Sequence, residues 1–108
     1  MMFFNAPVTV LACSYNASQN AFDQDGVTVP YASVRVSFQN TASMPVRAVR
    51  FEVGEGRTRQ TIDDVGTFSP RVAISHELPA TPDAFLTGPQ RCSVDAVTFA
   101  DGSHWDRR

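Results

Sequence analysis

The chain has 108 residues, 43% of them hydrophobic, which suits one globular domain and excludes a disordered chain. Its formal net charge is −2 and all nine basic residues are Arg, so it lacks the positive surplus of a nucleic-acid binder. No apolar run is long enough to cross a bilayer as a helix.

The first charged residue is Asp23, so the chain opens on a long uncharged segment. Residues 1–13 lack the basic n-region and long apolar core of a secretory signal, which points to an initiator on a mature chain or to a native cytosolic start. Residues 8–15 read as the first strand, with Val8, Val10 and Ala12 on one face and Thr9, Leu11, Cys13 and Tyr15 on the other. Both faces are fairly apolar. Residues 1–11 are therefore a candidate for strand addition to a neighbour's sheet, and their removal is then expected to leave a folded monomer. Residues 16–26, NASQNAFDQDG, read as a polar loop. Its Asn16-Ala17-Ser18 is a glycosylation sequon only in a host that uses it, and otherwise a turn. Its Asp23-Gln24-Asp25-Gly26 opens like a calcium loop, but Val34 stands where the twelfth-position Glu is needed.

Residues 33–39 form the clearest strand, with Val34, Val36 and Phe38 inward and Ser33, Arg35, Ser37 and Gln39 outward. A turn-rich break at 40–45 precedes a strand at 46–53, in which Val49, Phe51 and Val53 face in and Arg50 and Glu52 face out. Its phase slips near Arg47-Ala48, as a bulge would require. Residues 57–63 form a polar strand anchored by Ile62, suited to a sheet edge. Asp63 and Asp64 then read as a solvated strand end, and 66–70, GTFSP, as a turn. Residues 72–78 place Val72, Ile74, His76 and Leu78 on one face, where a lone histidine reads as a hydrogen-bonded core residue. The three prolines of 79–89 mark a crossover loop.

The stretch 90–105, QRCSVDAVTFADGSHW, combines a cysteine, an alternating strand with a slip at Asp95-Ala96, an Asp-Gly turn and the only tryptophan. A two-residue turn pairs Thr98 with Trp105 and exposes the indole. A three-residue turn with Gly102 in the left-handed region pairs Val97 with Trp105 and buries it. Burial of an indole is favourable by a few kcal/mol, so the second register is expected. The ending V-x-F-A-D-G-S-x-W resembles the final hairpin of small bacterial immunoglobulin-like sandwiches of unassigned role. The resemblance covers residues 90–106 and, in rhythm, 33–78. It implies a β-sandwich and a noncatalytic habit, and it carries over no functional residue.

About seven short strands, frequent turns and no convincing helix make an all-β, antiparallel two-sheet sandwich, immunoglobulin-like, as one domain over residues 1–108. Cys13 and Cys92 are expected to bridge, which adds roughly 4–5 kcal/mol in the chain-entropy model and implies a secreted, periplasmic or cell-surface setting. The alternative is two free thiols in the cytoplasm. The layout differs from an antibody domain, whose bridge joins the second and sixth strands around a tryptophan.

Arg35, Arg50 and Arg59 fall on outward positions of neighbouring strands, where they form either an Arg stripe that grips carboxylates or a solvated face paired with Glu52. His104 with Asp101 and Asp106 is a weak metal cluster, without the spacing of a zinc motif. No G-x-S-x-G elbow supports a hydrolase, and Gly54 and Gly56 lack the Lys of a phosphate loop. The expected function is thus a noncatalytic module that binds a protein or carbohydrate partner or acts as a spacer, with no cofactor. Assembly through residues 1–11 and hydrolysis are the alternatives.

Overall fold

Alternating valines and phenylalanines build two sheets that close on one core. The structure, a computed structural model, describes residues 6–22, 28–81 and 88–107. Its strands are β1 (Val8–Phe22), β2 (Thr28–Asn40), β3 (Val46–Val53), β4 (Gln60–Phe68), β5 (Ala73–Pro79), β6 (Gly88–Pro89), β7 (Cys92–Phe99) and β8 (His104–Asp106). A 3₁₀ turn at Gly56–Thr58 precedes β4. One sheet has the order β5-β2-β1-β6 and the other β4-β3-β7-β8, every pair antiparallel.

Val34, Val36 and Phe38 of the first sheet meet Val49, Phe51 and Val97 of the second, all fully buried. Phe38 is the aromatic centre: its ring lies 5.2 Å from Phe51 and 5.2 Å from Phe68, the latter edge-on. The Cys13–Cys92 disulfide joins β1 to β7 across the sandwich, with Cα atoms 6.1 Å apart. It lies beside the core, partly covered.

Three of the register shifts set which side chains face the core. Leu11 is the extra residue of β1, thrown out to 55% exposure. The slip puts Val8, Val10, Cys13 and Tyr15 inward and Ala12 outward, so the strand that reads as apolar on both faces has one core face after all. The expected slips at Arg47-Ala48 and Asp95-Ala96 are register shifts in the β3 pairings. Val8 is buried and β1 is already paired with β2, so removing residues 1–11 would open the core rather than leave a folded monomer.

Several boundaries differ from expectation. Residues 16–22, read as loop, continue β1, and β2 begins at Thr28, their pairing running out to Phe22 and Thr28. β5 covers β2 only from Ser33 onward and β6 meets β1 only at Ser14 and Tyr15. Beyond those limits β1 and β2 continue as a two-stranded ribbon, and the long axis reaches 53 Å. Half of a ribbon's backbone groups pair across it and the outward half meet water, so it needs no apolar face to show in sequence. β4 runs through Gly66 to Phe68, because Phe68 is buried against Phe38. β6 is two residues of the expected crossover loop.

The final hairpin adopts the three-residue turn. Phe99 N–H donates to Ser103 O at 2.8 Å, Gly102 has φ 91°, and Val97 pairs with Trp105 and Thr98 with His104. Trp105 is partly buried against the core, and His104 is outside.

Candidate binding face on the outer side of the second sheet

On the outward rows of β4-β3-β7-β8 the two middle strands carry the short side chains Ala48, Ala96 and Thr98, with Arg50 the long exception. One row reads Val65, Ala48, Thr98, His104, and the next Asp63, Arg50, Ala96, Asp106. Ala48, Ala96 and Thr98 leave a shallow trough of about 290 Å³ between Val65 on β4 and His104 on β8. Val65 is 76% exposed, a large apolar side chain with no cover among the described residues.

Charge surrounds this floor. Arg50 leans toward β4, its Nε donating to Asp63 Oδ1 at 2.9 Å. That hydrogen bond, then the Asp63 charge, with Asp95 and Asp106 adding to it, raise the guanidinium pKa further above its ordinary value. Arg107 donates to Ser93 Oγ at 2.8 Å and lies 3.5 Å from Glu52 and 3.6 Å from Asp95. Arg59 reaches the same Glu52 oxygen at 3.3 Å. Exposed pairs of this kind contribute about 0–1 kcal/mol each, so they order the face more than they stabilise the fold.

Arg35 does not join this set. It lies on the outer face of the other sheet, 3.9 Å from Glu77, which also accepts a 2.7 Å hydrogen bond from Ser33. The single stripe of Arg35, Arg50 and Arg59 is therefore divided between two faces, and each of the three is engaged by a carboxylate, Arg59 sharing Glu52 with Arg107. Consecutive strands β2 and β3 belong to different sheets, which the outward parity of Arg35 and Arg50 does not reveal.

His104 and Asp106 both line the trough, but Asp101 does not join them. Its Oδ1 accepts from the Ser103 amide at 2.9 Å and from the Ser103 hydroxyl at 2.6 Å. The hydroxyl bond first, then the amide bond, lower the Asp101 pKa. Among the described residues no group of three His, Cys, Asp or Glu side chains is gathered as metal ligands. The Asp23-Gln24-Asp25-Gly26 segment lies outside the described residues.

His76 lies between Ile74 and Leu78 on β5, but its side chain is 45% exposed at the sheet edge, so it is hydrogen-bonded without being the core residue expected from sequence. Its Nδ1 sits 2.6 Å from Asp64 Oδ2, and its ring packs 6.5 Å from Phe38 and 6.0 Å from Phe68. Asp64 is the correction here: it is not a solvated strand end but a buried side chain, 5% exposed, that ties the open β4 edge of one sheet to the β5 edge of the other. The signal was parity, since Ile62, Asp64 and Phe68 are separated by even steps. Asp63 is exposed and paired with Arg50. No protein-family model, no curated protein and no solved structure matches this chain.

Proposed function

We propose that the chain is a noncatalytic immunoglobulin-like module of a secreted, periplasmic or surface protein, and that it binds through the outer face of β4-β3-β7-β8. The observation that carries the reading is the trough, a concave strip with a short-side-chain floor in an otherwise paired polar face. Concave sites framed by a rigid sheet suit recognition. The strand order supports the fold part: β3-β7-β8 and β2-β5 are adjacent as C-F-G and B-E are in an immunoglobulin sandwich. The inter-sheet bridge is compatible with an oxidising compartment. It departs from the antibody pattern by joining the first strand, rather than the second, to the later one.

The groups that acid–base chemistry would need already have structural work. Asp64 holds His76, and Asp63 holds Arg50. The test pairs two screens. The folded domain is offered to arrayed peptides and glycans, and a ligand retained by the wild type and lost in Ala96→Arg, which fills the floor, supports the reading. Turnover of an ester, peptide or glycoside that disappears with His76→Ala or His104→Ala would overturn it.

A further inference from the structure

We infer that the trough takes a cationic side chain presented by an extended segment of a protein partner; this rests on the binding face proposed above. The floor of Ala48, Ala96 and the Thr98 methyl group suits an aliphatic stem, with Val65 as one wall. At about 290 Å³ the space lies at the bottom of the ~300–1,000 Å³ range of small-molecule sites, so it fits a side chain better than a whole ligand. Trp105 is turned into the core, so the face offers no indole on which a sugar would stack.

The charges choose the sign. The trough and its continuation along β7 and β8 are lined by Asp63, Asp95 and Asp106 against Arg50 and Arg107. Arg50 is engaged by Asp63, and Arg107 by Glu52 and Asp95. Asp106 is exposed at the end of the floor and makes no ion pair among the described residues. A partner's carboxylate would have to displace Asp63 from Arg50 and then face the remaining acids. A lysine or arginine can lay its stem across Ala48 and Ala96 and bring its head to Asp106, the snorkelling geometry of long cationic side chains. This reverses the carboxylate-gripping stripe expected from sequence.

The test uses three blocked tripeptides, acetyl-Ala-X-Ala-amide with X as Lys, Glu or norleucine, titrated into the isotope-labelled intact chain. The Lys peptide is expected to shift the amides of Ala48, Ala96, Thr98 and His104. Its affinity is expected to fall about fivefold in Asp106→Asn, and to weaken as salt is raised. Asp106 is exposed, and dispersed amide spectra of the variant check that it is folded. Equal shifts from the Glu or norleucine peptide, or an unchanged affinity in Asp106→Asn, would overturn the cationic inference while leaving the face as a binding site. No shift from any of the three would also overturn the cationic inference, and the face itself is then decided by the peptide and glycan screen with Ala96→Arg.

Discussion

The buried amide of Asn40 holds three backbone groups on two segments, the turn that follows it and the end of β4. Its Nδ2 donates to Met44 O at 2.9 Å and Phe68 O at 3.0 Å, while Oδ1 accepts from Ala42 N–H at 2.9 Å. Truncation would leave those carbonyls without partners, so Asn40→Ala is expected to cost about 3 kcal/mol, read as a lower urea midpoint with an unchanged slope. Sequence showed Asn40 only as the start of a turn, because its partners lie as far away as Phe68. Arg71 is the reverse case: local chemistry explains it. Val72 N–H reaches Ser69 O, with Pro70 second and Arg71 third at φ 69°, the position of a type II turn that favours glycine. Arg71→Gly is expected to raise stability by up to about 1 kcal/mol, and Arg71→Val to lower it by a similar amount, measured by the same denaturation. At Asp101 the folded pKa is depressed by Ser103. Its contribution is therefore present above the unfolded value near 3.8 and is lost as pH falls through the folded value. The Ser103 amide resonance should titrate with a midpoint below the ordinary aspartate range; a midpoint above it would remove that hydrogen-bonded turn.

Among whole elements, the β7–β8 hairpin was the most legible, since register follows from which pairing buries an indole. Trp105 is partly rather than fully buried, so Trp105→Ala is expected to cost about 3 kcal/mol, at the low end for a large core aromatic. Folded emission should be blue-shifted and only partly protected from iodide, moving to the red on unfolding. The bulges at Arg47 and Asp95 were legible for a related reason: one inserted residue shifts the two-residue period of a half-buried strand, and the shift shows as a break in alternation. The bulge at Leu11 was not, because apolar residues on both parities mask the slip. The β1–β2 ribbon and β6 were illegible as well. Their pairing is a matter of backbone, and neither shows an apolar period.

For the molecule as a whole, alternation and turn spacing were enough to reach two packed antiparallel sheets. The division of strands between them was not reachable, and the trough depends on that division, because it needs Ala48, Ala96 and Thr98 side by side. The bridge is the strongest global constraint. Replacing both Cys13 and Cys92 by Ser should lower stability by roughly 4–5 kcal/mol. The intact oxidised chain should weigh two hydrogens less than the reduced one. That same link also changes how the chain would carry a mechanical load. Under tension from its two ends, only residues outside Cys13 and Cys92 can peel away while the bond holds. The 79-residue separation between them is stored length, about 280 Å at ~3.5 Å per residue. Adding a reductant during single-molecule stretching should lengthen the unfolding step by nearly that amount. Steps of equal length before and after reduction would show that the thiols are not joined, and that the module releases its full contour at the first rupture.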